Sequence, residues 1–247
     1  MRLRAFVFNF FLTMKRCGII GGLGPSATVD LYKLIIKHTP ARRDQDHIRV
    51  IIDSNAQIPD RTAALLYKGE SPVPYLLDSI RILQNSEVDF IVCPCNTAHV
   101  FLRRLKDQIK VPFIDMIEET VIYLQENKIP RAGLLSTEGT AKSLIYQETG
   151  KKYGIEILIP SEEGIKNVMN AISGPEGIKA GVKFEKSKRN KTLLLDTLKE
   201  FEISNINHVI MGCTEIPLCI EKADTSLELI NPAEILAKEV VRYSLKL

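Results

Sequence analysis

From Arg16 onward, short apolar runs rich in β-branched residues alternate with stretches of helical periodicity, and no other feature restricts the chain so strongly. Strands buried on both faces read as unbroken apolar runs, and the helices between them provide the crossovers that a parallel sheet needs. The predicted strands are Cys17–Ile20, Arg49–Asp53, Asp89–Cys93, Ala132–Leu135, Ile155–Ile159 and His208–Met211. Leu76, Ile80 and Leu83 recur at helical spacing, as do Leu102 and Leu105, so both segments are predicted helices. A last helix is expected after Asn231 as cap, with Pro232 in its first turn and Glu234 three residues beyond the cap in a capping-box position. The fold class is α/β.

The pattern also echoes itself. Asp89 to Thr97 and Asn207 to Glu215 each run from an apolar strand into a cysteine, Cys95 or Cys213, with threonine close behind and a short helix after it. Cys17 to Gly24 and Ala132 to Gly139 each lead from a strand into a glycine turn. Two lobes built on one plan explain both pairings, and 247 residues suffice for them. Ligands bind at the carboxyl ends of strands in open parallel sheets, so the two cysteines are expected at lobe edges facing a shared cleft.

Hydrophobic residues make up 45% and charged residues 26%, ordinary globular usage that argues against disordered, collagen-like and multi-span membrane classes. The net charge of +3 is dispersed. Its one dense stretch, Lys183 to Lys191, holds a single aromatic, Phe184, and is expected to be a solvated loop rather than a nucleic-acid surface. Five cysteines, odd in number and irregular in spacing, do not form a secreted disulfide framework, so a reducing, cytoplasmic setting is expected. In residues 1–13, Arg2 and Arg4 precede a short apolar run that mimics a signal peptide, without a small-residue cleavage site and too short to span a bilayer. They read as an extension, with Met14 as an alternative start.

Gly22-x-Gly24 with Ala27 superficially satisfies a dinucleotide fingerprint, but the acidic residue expected about twenty positions on is missing. A tight turn whose helix N-terminus faces an anion is one reading, and a purely structural turn is the other. Cys95 stands at a strand end and helix start, where the helix dipole favours a thiolate, and Asn96 and Thr97 add donors beside it. Cys17, Cys93 and Cys219 lack such polar followers and read as small apolar core residues. Zinc is the rival reading of Cys93, Cys95, His99 and Cys213, although a single residue between Cys93 and Cys95 is tighter than structural zinc sites use. Otherwise His99, one helical turn beyond Cys95, either supports the site from behind or is a packed helix residue. Arg61, in the loop after the second strand and near Asn55, can fork onto a carboxylate, unless it pairs locally with Asp60. Lys179 lies between Gly177 and Gly181 in a segment able to hinge over a cleft or simply to connect.

Taken together, Gly21 to Pro25, Ile58 to Thr62, Pro94 to His99, Ile178 to Gly181 and Gly212 to Glu215 resemble the aspartate/glutamate racemases, in order and over nearly everything after Met14. Glu215 after the second Cys-Thr is similar to the aspartate racemase branch, since glutamate racemases usually carry histidine there. The resemblance implies two Rossmann-like lobes with pseudo-twofold symmetry, 14–115 plus 226–247 and 116–225, and a homodimer. It implies a cleft site without pyridoxal phosphate, other cofactor or metal, acting on aspartate or glutamate as the small-molecule partner. Cys95 and Cys213 become the acid/base pair, Arg61 and Lys179 the carboxylate holders, and Asn55, Asn96, Thr97, Thr137, Thr214 and Glu215 the remaining substrate contacts. A maleate isomerase or hydantoin racemase chemistry on the same scaffold, or a binding protein for acidic amino acids, stays open at this level.

Overall fold

Two separate parallel sheets form from the alternating runs. The computed structural model describes residues 14–246, so the expected extension at 1–13 lies outside the described residues. In chain order the elements are β1 (Cys17–Gly21), α1 (Pro25–His38), β2 (Val50–Ser54), α2 (Arg61–Leu66), α3 (Val73–Asn85), β3 (Phe90–Val92), α4 (His99–Leu102) and α5 (Met116–Glu126). They continue as β4 (Arg131–Ser136), α6 (Glu138–Lys142), α7 (Ile145–Lys152), β5 (Glu156–Leu158), α8 (Glu162–Ser173), α9 (Lys188–Ile203), β6 (His208–Gly212), β7 (Glu228–Ile230) and α10 (Pro232–Leu245). The first sheet has the order β2-β1-β3 and the second β5-β4-β6-β7, with every pairing parallel.

The echo in the sequence is an echo in space. β1 and β4 are the central strands of equivalent triplets, and β3 and β6 occupy the same place beside them. Successive side chains of a strand face opposite sides, so Ile19 and Ile20 enter two different cores of the first lobe, as Leu134 and Leu135 do in the second. α3 buries Leu76, Ile80 and Leu83, the three residues whose spacing predicts it.

Each half of the chain ends in a helix that covers the other lobe. α5 packs Ile117, Val121 and Leu124 against Ala132 and Leu134 of the second lobe, and α10 packs Leu236, Ala237 and Val240 against Cys17, Ile19 and Leu31 of the first. Both start with a side-chain cap. Asp115 Oδ1 accepts from the Ile117 and Glu118 amides at 2.9 and 3.1 Å, and Asn231 Oδ1 accepts from Ala233 and Glu234 at 3.0 and 3.4 Å.

Several expectations are corrected. β7 is a strand that periodicity does not reveal: it has three residues, two of them apolar, and pairing with β6 makes it one. It is the outer strand of the second sheet, beside β6. The counterpart of β7 in the first lobe is one parallel bridge, Ile91 to Phe113. The helix through Leu102 and Leu105 is α-helical only to Leu102, and i to i+3 bonding continues it as a 3-10 segment, Arg103–Gln108. Glu234 pairs with His38 at the end of α1, Oε1 to Nε2 3.0 Å. Half of Lys183–Lys191 is not loop, because Ser187 accepts from the Asn190 amide and starts α9 at Lys188.

Candidate active site

β3 delivers Cys95 through Cys93 and Pro94, and β6 delivers Cys213 directly after Gly212, so both thiols stand at the carboxyl ends of equivalent strands. They line one cavity between the lobes, together with Arg61, Asn96, Thr97, Thr137, Lys179, Thr214 and Glu215. Two glycines allow close packing near the strand ends. At Gly212 a Cβ would stand 2.4 Å from Leu134 Cδ1, and at Gly22, with φ +84°, it would stand 2.3 Å from the Asn55 carbonyl carbon. The enclosed space is about 10 Å³, room for one water, and an outer pocket of about 280 Å³ adjoins it. Leu23, Asp60, Arg61, Lys179 and Glu215 border both.

Hydrogen bonds fix the loops around the sulfurs. Thr214 Oγ1 donates to the Pro94 carbonyl at 3.0 Å, linking the segment of one cysteine to the segment of the other. Thr97 Oγ1 lies 3.0 Å from Thr137 Oγ1 and 2.8 Å from Thr140 Oγ1, a buried hydroxyl cluster joining the lobes. His99 is fully buried; its Nε2 accepts from the Met116 amide at 3.1 Å, so Nδ1 carries the proton and donates to the Cys95 carbonyl at 2.8 Å. Burial pushes its pKa down against the pull of Asp115, which keeps the ring neutral. Both ring nitrogens are occupied, so His99 positions Cys95 and has no nitrogen left for a metal. Among the described residues no cluster of three or more His, Cys, Asp or Glu side chains is arranged to hold one.

The two thiols have different neighbours. Cys213 Sγ donates to Glu215 Oε2 at 2.9 Å. Burial first, and the Glu215 charge second, raise the Cys213 pKa well above its ordinary value, with Lys179 opposing, so Cys213 is a thiol at neutral pH. On the other side, Arg61 loses solvation, which lowers its pKa, but the Cys95 sulfur, Asp60 and Glu215 more than compensate and keep it cationic. Lys179 is likewise penalised by burial and held charged chiefly by Glu215, whose Oε1 is 3.9 Å from Nζ.

Arg61 is not paired locally with Asp60, whose carboxylate caps α2 by accepting from the Ala63 amide at 2.7 Å. Its guanidinium donates instead to the carbonyls of Ile58, Pro59 and Leu23 at 3.1, 3.0 and 3.0 Å. Asn55 stands apart from the cavity: Oδ1 accepts from the Gln57 amide at 3.0 Å, and neighbouring Ala56 reaches the outer pocket. The N-terminus of α1, with Gly24, Pro25 and Ser26, also faces that outer pocket. Cys17 and Cys93 are fully buried and Cys219 nearly so, and burial raises all three pKa values, that of Cys219 to about 11. Sequence reasoning missed Leu23, Asp60, Thr62, Ser173 and Gly212 as lining residues. Four of them lie inside the quoted motifs, whereas Ser173 ends α8 with no local mark.

A sequence profile of the Asp/Glu/hydantoin racemases matches residues 20–240. The broad specificity amino-acid racemase RacX of Bacillus subtilis is 25% identical over 236 residues, 91% of this chain and 96% of that one. The glutamate racemase of Aquifex aeolicus is 29% identical over 164 residues, and the match spans 66% of this chain and 60% of the relative. The solved structure of Picrophilus torridus aspartate racemase superposes with a TM-score of 0.81 at 29% identity, covering 93% of this chain and 94% of that one. A profile match over most of the residues, on a two-lobed α/β fold with a cysteine at each corresponding strand end, makes this chain a member of the Asp/Glu/hydantoin racemase family.

Proposed function

We propose that this enzyme inverts Cα of an acidic amino acid, aspartate in the first place and glutamate in the second, with Cys95 and Cys213 as its two bases. What carries the reading is that two thiols from equivalent strand ends line one cavity. Inversion needs an acid and a base on opposite faces of one carbon, and two lobes of one plan supply matching groups. Cys213, held as thiol by burial and Glu215, is the resting acid. Cys95, which lines the same cavity as Arg61, is assigned the role of base. Its sulfur takes the α-proton while Cys213 delivers one to the far face, and turnover exchanges their states.

The carbanion is the difficult species, because an ionised carboxylate beside it resists further charge. Donors already in place act before the charge develops and need no reorganisation. Of the side-chain donors buried without a partner, Arg61 Nε and Asn96 Nδ2 border this cavity, and Tyr146 holds Asn96 by donating to Oδ1 at 2.7 Å. They are assigned to the α-carboxylate, with Thr97, Thr137 and Thr214 shaping the space around it. Lys179 takes the distal carboxylate. An enclosed space of about 10 Å³ excludes an amino acid, so the substrate enters from the outer pocket after the site opens. Every step uses protein groups.

An enantiomer-resolved assay of each pure acidic amino acid in deuterium oxide tests this. Product should carry deuterium at Cα while recovered substrate stays protiated early in the reaction, and chelators or pyridoxal scavengers should change nothing. Equal early labelling of both pools points to a single base. Binding without any exchange points to a binding protein, and a thioether adduct with an unsaturated diacid points to cis–trans isomerisation. Cys95→Ser and Cys213→Ser should each abolish racemisation in a folded protein.

A further inference from the structure

Among the described residues, eight buried side-chain atoms have no hydrogen-bond partner, and three of them belong to residues lining the thiol cavity. Two are the donors named above, Arg61 Nε and Asn96 Nδ2, and the third is an acceptor, Glu215 Oε1. A buried polar atom left unpaired is costly, so a site that keeps three of them is complete only with its ligand. Two donors and one acceptor match the head of an amino acid, whose carboxylate accepts and whose ammonium donates.

We infer that Glu215 receives the α-ammonium of the substrate on Oε1, and so restricts this enzyme to substrates with a free α-amino group. The inference rests on the amino-acid reading above and assigns the one charge that reading leaves unplaced. Glu215 is 3% exposed, and its other oxygen is occupied by the Cys213 thiol at 2.9 Å. The remaining carboxylate that borders the cavity, Asp60, already caps α2 through the Ala63 amide. Lys179 Nζ pairs with Oε1 by charge at 3.9 Å, too far for a hydrogen bond, so that oxygen still lacks a donor. A Cβ at position 24 would stand 3.1 Å from Oε1, so glycine there leaves this oxygen clear of a side chain. A substrate with two carboxylates and one ammonium meets Arg61, Lys179 and Glu215, which carry the opposite charges. Hydantoins and unsaturated diacids have no ammonium to offer, and each would leave Oε1 without a hydrogen-bond donor.

The test is calorimetric binding of aspartate and of malate, which carries a hydroxyl where the amine stands, to the wild-type enzyme and to Glu215→Gln. Wild type should bind aspartate at least 30-fold more tightly than malate, and Glu215→Gln should reduce that preference to threefold or less. Glu215→Asp keeps the charge but withdraws the oxygen by one methylene; it should retain a weakened preference, and serves as the test if the glutamine variant does not fold. A wild-type enzyme that binds both ligands alike, or fails to bind aspartate, overturns the inference. So does a variant with the wild-type preference. Racemisation is read separately: its absence alongside a Glu215-dependent preference for the amine removes the two-thiol reading and leaves the ammonium site standing.

Discussion

The Thr214 hydroxyl donates to the Pro94 carbonyl at 3.0 Å, across two lobes, one residue away from each of the cavity cysteines. Both sulfurs sit on loops, so this bond helps to set their separation. Thr214→Val keeps the shape and removes the donor. It should cost about 1–3 kcal/mol in urea unfolding and lower kcat roughly 10- to 100-fold through misplacement of the thiols, with Thr214→Ser restoring both. Unchanged kcat in the valine variant would show that the loops hold their places without it.

Arg61 joins three backbone carbonyls to the cavity wall, so it supports the site as well as facing it. A lysine has no planar fork and leaves carbonyls unpaired, each costing about 1–3 kcal/mol when buried. Arg61→Lys should lower both the unfolding free energy and kcat/KM for acidic substrates. Loss of activity with full stability would identify Arg61 as a clamp alone.

His99 bridges the Cys95 carbonyl and the Met116 amide, where α5 leaves for the second lobe. His99→Phe keeps the aromatic bulk and orphans both groups, for a cost of roughly 2–5 kcal/mol. The folded pKa lies below the ordinary 6.5, so the stability tied to the neutral ring is fully present above 6.5 and is lost as pH falls. Unfolding free energies measured between pH 7 and 5 should show this acid limb in wild type and not in the variant.

Glu119, in the groove between α5 and α10, is held near pKa 7 by burial first and by Glu239 next, with Arg242 opposing. A folded pKa above the ordinary 4.5 stabilises the protonated native state, and that stability is lost as pH rises from about 4.5 through about 7. Glu119→Gln, permanently neutral, should flatten this part of the stability profile. An unchanged slope would place the proton elsewhere.

Much of the architecture was legible because it is periodic. Ile19, Ile20, Leu134 and Leu135 announce strands buried on both faces, and Leu76, Ile80 and Leu83 announce a helix face. β7 was not legible, because three residues carry no period and only β6 makes them a strand. The site residues were found as types in motifs, while their partners were not. Asn55 sits beside the motif yet turns to its own loop, and Ser173 lines the cavity with nothing local to mark it.

The sequence by itself determined where the longer periodic segments become strands and helices, that the pattern runs twice, and that each run carries a cysteine at a strand end. These follow from local periodicity and from residue type. Only the tertiary structure decided that Thr214 reaches Pro94, that His99 bridges Cys95 and Met116, and that Glu215 holds Cys213 while one of its oxygens has no hydrogen-bond donor. Those relationships join residues far apart in the chain, and their energies depend on burial and on charges that face one another only after the two lobes have packed together.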